Sequence, residues 1–420
     1  MNRSLKSGIV AALLLITNSN FADTSLTAAY KQPKKAQQSP EQTCAPTPEP
    51  CPAPTPEPCT CCPVHNRLDV PCVEAYNAPS RIDISCGWNT WVDASFLYWQ
   101  PTMDNMEPAI EFSEAIVINS IPIIHESFKY FPLDSDFKPG FRVGGGISLD
   151  HDHWDVGAEY TWFHTTEHFH KQGEQLLALY PAALVELFAL AAQTGNGSGT
   201  GANFAVDIKA DWRLQLDVAD LNVGRWYHVG TRLAFHPFFG AKATWIHQQR
   251  KETSIHASGN TIIFASAKTD SWAVGAAVGV NTNWTIGCGF RFFGDVSGDL
   301  SFTRYSLNNH SIARRSGADV ITLHSQEDHL NAVRPHVDVD LGFGWETYFA
   351  CDAWHLDVSI GWEFQTFFDQ NMFRRTYTPP IFNEGGSTAS SQTVIELPNS
   401  HVGLGNLSLQ GLTVKARLDF

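Results

Sequence analysis

Charge is scarce in this chain. Asp, Glu, Lys and Arg make up 17% of its 420 residues, and acidic side chains outnumber basic ones by 43 to 28. The formal net charge of −15 argues against nucleic acid as a partner. Long apolar runs are missing as well. Gly8 to Ile16 follows the basic residues Arg3 and Lys6, but it is too short to cross a bilayer as a helix. A basic start with a short apolar stretch is an export signal over residues 1–22, cleaved after Ala22 or a nearby small residue. Asn20 suits the −3 position poorly, which leaves the cleavage site open by several residues. No cysteine follows closely, so a lipid anchor is not expected. H-E-x-x-H and G-x-S-x-G are absent, so no catalytic residue, metal or cofactor is expected, and the chain does not read as an enzyme.

Hydrophobic content of 43% and a mean hydropathy of −0.17 would suit a soluble protein. They suit a transmembrane β-barrel equally, because half of each barrel strand is polar. Aromatics are plentiful: 13 Trp, 10 Tyr and 27 Phe, the stock for two interfacial girdles.

From Trp91 onward the dominant period is two. Trp354, Leu356, Val358, Ile360, Trp362 and Phe364 alternate with His355, Asp357, Ser359, Gly361, Glu363 and Gln365. The last strand, Leu412 to Phe420, alternates in the same way and ends on an aromatic. One apolar face and one ionic face fit lipid on one side and a wet lumen on the other. About ten strands result: 91–99, 141–149, 154–163, 212–228, 231–247, 271–282, 284–304, 332–349, 353–368 and 406–420. Short turns are expected at His151–His153, Val229–Gly230, Asn281–Asn283 and Ala350–Ala353. Long connections would fill 100–140, 164–211, 250–270, 305–331 and 369–405. The fold class is an all-β antiparallel transmembrane barrel over residues 89–420, of ten to twelve strands or more. Short turns and both termini would then lie in the periplasm and long loops at the cell surface, with outer-membrane lipid around the wall. Within the second loop, Leu176 to Ala192 has a helical pattern, to pack on the rim or fold into the lumen.

Residues 23–88 differ from the rest. Cys44-Ala-Pro-Thr-Pro-Glu-Pro-Cys51 is followed by a near copy ending at Cys59, and alternate prolines impose an extended polyproline rod. With Cys61, Cys62, Cys72 and Cys86, this segment holds seven of the nine cysteines. An odd number cannot pair completely within the segment. Cys351, in a short turn on the same side, is the partner within reach, and bonds to other envelope proteins are open too. Local pairing around Cys61, Cys62, Cys72 and Cys86 is the alternative. Cys288 keeps step with lipid-facing Trp284, Ile286, Phe290 and Phe292, so a free thiol is expected there.

Trp91-Val-Asp-Ala-Ser-Phe-Leu-Tyr-Trp-Gln100, Gly140-Phe-Arg-Val-Gly-Gly-Gly146, the Asp155–Trp162 strand and Asp220-Leu-Asn-Val-Gly-Arg225 resemble the Legionella-type and chlamydia-related major outer membrane proteins. The resemblance covers most of residues 90–420. It implies a pore-forming outer-membrane protein passing small hydrophilic solutes, with Phe420 as a signal read by the barrel-assembly machinery. Homo-oligomers are also in prospect. The Pro/Cys-rich preamble departs from the Legionella-like members and resembles the disulfide-linked envelopes of the chlamydia-related group.

Parity places Arg142, Arg232, Lys242, Arg291, Lys415 and Arg417 inside, with Asp155, Glu159, Asp338, Asp340, Asp357 and Glu363. Such a wall would screen solutes by size and sign. The alternative is a narrow barrel plugged by salt-bridged side chains, a structural or surface-display protein. His164, His168 and His170 have ligand-like spacing, and His151 and His153 lie in a tight turn, but a solvated loop is the better reading than a metal site.

Overall fold

The structure, a computed structural model, describes Ile82, Ile84 and residues 87–420, except 113–114, 119–120, 125–127, 150–152, 179–204, 230–231, 257–260, 316–317, 378–398 and 403. The export signal and the cysteines from Cys44 to Cys86 lie outside the described residues.

Ten antiparallel strands form the wall. They are β1 (Thr90–Met103), β2 (Lys138–Ser148), β3 (Asp155–Ala178), β4 (Ala205–Gly224) and β5 (Leu233–His256). The others are β6 (Thr261–Gly287), β7 (Phe290–Arg315), β8 (Ala318–Phe349), β9 (Trp354–Phe367) and β10 (Leu407–Asp419). Each pairs with the next in sequence, and β10 pairs with β1 to close the barrel. No helix occurs among the described residues. Leu176 to Ala178, expected to begin a helix, instead finish β3, where Ala109–Phe112 pairs with them. The remainder of that expected helix is outside the described residues.

Two of the expected long connections are strand. β5 reaches His256 and β6 starts at Thr261, while β7 reaches Arg315 and β8 starts at Ala318. The turn expected at Asn281–Asn283 is strand as well. The chain reverses at Cys288-Gly289, whose φ angles of 54° and 80° suit a two-residue hairpin loop.

The strands outreach a membrane. β8 has 32 residues, roughly 80 Å of height at about 3.3 Å per residue and about 40° of tilt. The lipid boundary can be read from register partners on the outer face. Tyr160, Ala219, Ala243, Val274 and Phe302 form one apolar row across β3 to β7. The next row is Trp162, Asp217, Trp245, Trp272 and Arg304, a girdle rich in tryptophan. Above it come His164, Gln215, His247, Asp270 and Ser306, all polar. On β6, Trp272 to Trp284 spans twelve residue steps, roughly 30 Å with the same rise and tilt. That matches a hydrocarbon core.

Above the girdle the two faces exchange character. On β1, Asp93 and Ser95 point inward below it, and Leu97 and Trp99 above. On β10, Thr413 and Lys415 give way to Leu407 and Leu409. On β4, Asp220 and Asn222 give way to Trp212, Leu214 and Leu216. The membrane part is therefore polar inside, and the projecting part has a water-excluding apolar core of Leu97, Trp99, Phe163, Trp212, Leu214, Leu216, Ile246, Phe367, Phe373, Leu407 and Leu409.

Trp212 is 1% exposed in that core, so Trp212→Ala is expected to cost about 3–5 kcal/mol. Thermal unfolding in detergent should show a clear loss, whereas Arg213→Ala, on the outer face, should leave the melting temperature nearly unchanged.

Candidate functional site: the charged lumen

Below the apolar core the barrel encloses a cavity of about 510 Å³ reaching the short-turn end, where Ile82, Trp91 and His228 line it. A single water needs about 10–15 Å³ of such space, so the cavity holds many. Its walls carry nine carboxylates, Asp155, Glu159, Asp220, Asp295, Asp338, Asp340, Glu346, Asp357 and Glu363. Against them stand five cationic side chains, Arg142, Lys242, Arg291, Lys415 and Arg417. Eleven of the twelve residues placed inside by parity line this cavity. Arg232 does not. It sits at an exposed bend before β5 begins, where strand parity no longer sets direction.

The charges are organised into bridges between strands. Arg142 on β2 reaches Glu363 on β9 at 2.6 Å and donates from Nε to Thr161 Oγ1 at 2.9 Å. Glu363 also accepts from Thr413 at 2.7 Å, and Trp99 Nε1 donates to Thr413 at 3.2 Å. The Arg142 guanidinium lies 5.6 Å from the Trp99 ring centroid. This network forms the ceiling of the cavity, where the ionic layer meets the apolar core. Lower down, Lys415 bridges Asp93 at 2.9 Å and Glu159 at 3.0 Å. Lys242 pairs with Asp220 at 3.3 Å, and Arg291 pairs with Asp357 and with Glu346 at 3.2 Å. Arg417 pairs with Asp419 at 2.6 Å. Glycines make room for these groups. A Cβ at Gly144 would collide with Asp93, one at Gly344 with the Arg291 guanidinium, and one at Gly361 with Asp340.

Acidic groups remain in excess on one wall. Asp295, Asp340 and Glu363 are direct register partners on β7, β8 and β9. Like charges set side by side repel. Arg142 offsets only Glu363 directly, and one carboxylate oxygen on each of Asp338 and Asp340 lacks a hydrogen-bond partner among the described residues. Sequence parity missed Asp93, Asp220, Asp295 and Glu346. Asp93 is in phase with Ser95, and Asp220 with Asn222, so alternation could have found both.

The segment Phe368–Phe373, after β9, folds into the lumen instead of leaving it. Gln370, Asn371, Met372 and Phe373 are at most 3% exposed. This inward fold was not legible as alternation, because it is neither strand nor helix.

Outside the lumen, His164, His168 and His170 each meet an aspartate of β4, Asp217, Asp211 and Asp207, at 3.1, 2.6 and 2.9 Å. They lie on strand β3, so the loop expected there is corrected. His151 is outside the described residues, and His153 takes φ 57° in the β2–β3 turn. Cys288 and Cys351 are both disulfide-bonded. Cys288 is thus not the expected free thiol, because it occupies the β6–β7 turn rather than a lipid-facing strand position. Cys351 occupies the β8–β9 turn at the same end of the barrel, with φ 59°. Phe420 exchanges backbone hydrogen bonds with Thr90, and its ring lies 5.4 Å from that of Trp354.

A profile described as the Legionella pneumophila major outer membrane protein precursor matches residues 84–420. No curated protein gives a significant match. Among solved structures, the outer membrane protease OmpT from Escherichia coli aligns at 10% identity and TM-score 0.36, over 82% of this chain and 99% of that one. A Pseudomonas aeruginosa FadL homologue aligns at 7% identity and TM-score 0.23, over 79% of this chain and 90% of that one.

Removing one partner of a buried ion pair leaves the other charge uncompensated, at about 3–5 kcal/mol. Glu363→Leu should therefore destabilise the barrel strongly, and adding Arg142→Met should restore part of the loss. Melting of the two single variants and the double variant in detergent checks this coupling.

Proposed function

Because the chain belongs to the Legionella pneumophila major outer membrane protein family, we propose that it is an outer-membrane porin for small hydrophilic solutes, preferring cations. The observation that carries this reading is the cavity of about 510 Å³, with nine carboxylates against five cationic side chains, at the height of the lipid-facing band. A barrel serving only as a structural post gains nothing from nine carboxylates around a water-filled space. Buried unpaired acids cost stability, and an apolar lumen would avoid that cost. Rings of carboxylates favour cation entry and oppose anions.

In this reading the short-turn end faces the periplasm and the polar upper wall faces the outside. The exported N-terminal segment then shares the periplasm with the turns that carry Cys288 and Cys351. Disulfides from Cys44, Cys51, Cys59, Cys61, Cys62, Cys72 or Cys86 to these turns, and to neighbouring envelope proteins, link the barrel into the envelope. A second reading, a plugged structural or surface-display barrel, is favoured by the apolar core and the inward Phe368–Phe373 segment.

Planar-bilayer recording of refolded protein tests the porin reading. Discrete conductance with a cation-selective reversal potential is expected. Asp338→Asn with Asp340→Asn should move selectivity toward anions. A folded, heat-resistant barrel that never conducts would instead support the plugged reading. Non-reducing electrophoresis of whole envelopes should show high-mass species that collapse to monomer on reduction, and deleting residues 44–62 should remove most of them.

A further inference from the structure

We propose that Phe368–Phe373 is a displaceable gate that closes the conduction path above the charged cavity; the inference rests on the porin reading. β9 ends at Phe367, and the chain turns inward through Asp369, whose φ is 51°. It is then pinned to several walls at once. Arg334 on β8 holds Asp369 at 2.8 Å, and Tyr305 on β7 donates to Gln370 Oε1 at 2.7 Å. Gln248 on β5 donates to the Gln370 carbonyl at 3.5 Å. Asn371 donates from its side chain to the Asp104 carbonyl at 2.8 Å and from its backbone to the Gly405 carbonyl at 2.8 Å. The segment thus bridges opposite sides of the lumen, above the ceiling formed by Arg142, Glu363, Thr413 and Trp99.

Two features make this a gate rather than a fixed plug. First, the segment supplies no wall strand. The β8–β9 and β9–β10 ladders are complete without it, since β9 stops at Phe367 and β10 starts at Leu407. Phe368 adds one backbone bond to β8, from its N–H to the Pro335 carbonyl at 3.2 Å, and displacing the residues beyond it breaks no strand pairing of the wall. Second, its anchors are mainly individual hydrogen bonds and one ion pair, each modest against water. Phe373 and Met372 add apolar contact with the core and with Tyr305 and Leu307, which holds the closed form without welding it.

The test is bilayer recording of the full-length protein beside two variants. One carries Asp369→Ala, Gln370→Ala and Asn371→Ala together; the other carries Tyr305→Phe alone. Resistance to heat in detergent verifies that each barrel is folded. Mean conductance should rise in both. The single variant should gain about fivefold in open probability, the factor that roughly 1 kcal/mol of lost hydrogen bonding gives, and the triple variant more. Wild-type and variant barrels that conduct equally would overturn the gate and leave the porin reading standing. Folded barrels that all fail to conduct would overturn both.

Discussion

Pairing between the first and last strands is the constraint on which this molecule depends. β1 and β10 are in register from Trp91–Asp419 to Met103–Leu407, and Thr90 and Phe420 add two backbone hydrogen bonds at the foot. Lipid offers no partner to an open sheet edge, and each unpaired backbone group there costs several kcal/mol. Closure also creates the interior. Only once β10 meets β1 do Arg142, Glu363, Thr413 and Trp99, from four different strands, converge on one network.

Within that closed wall, the apolar surface follows its surroundings. Below the Trp162, Trp245 and Trp272 girdle the outside is apolar and the inside ionic. Above it the outside carries His164, Gln215, Asp270 and Lys268, while Trp99, Phe163, Trp212 and Leu214 pack within. One continuous strand serves both regimes because the side-chain period of two is preserved while the identity of the greasy face changes. The upper part behaves as a water-soluble barrel with a core of its own. The lower part leaves its interior to water, and the two meet where Arg142 lies against Trp99.

Much of the architecture was legible as alternation. Ten strands, their order and the inward direction of Arg142, Lys242, Asp338, Glu363 and Lys415 follow from counting in twos, because lipid on one face enforces strict parity. The alternation breaks at Gly411-Leu412 on β10 and at Val218-Ala219 on β4 are visible too, once a change of apolar face is allowed. Ending β5 and β7 at 247 and 304, and starting β6 and β8 at 271 and 332, made these strands too short and assigned their upper ends to loops. Arg232 and Cys288 were misplaced for a related reason: both sit at strand feet, where hairpin geometry takes over from parity.

What the sequence alone determined is the barrel, its lipid-facing band and its acidic excess, since these depend on residues two apart along single strands. Tertiary structure decided which charges meet and which segment crosses the lumen. Asp295, Asp340 and Glu363 become a row only through the register of three strands. Phe368–Phe373 carries no periodic signal, and its inward course depends on Tyr305, Arg334, Gln248 and Asp104 arriving from distant parts of the chain. Contacts of that kind belong to the closed barrel, because no local pattern encodes partners that meet only after the sheet has joined its own ends.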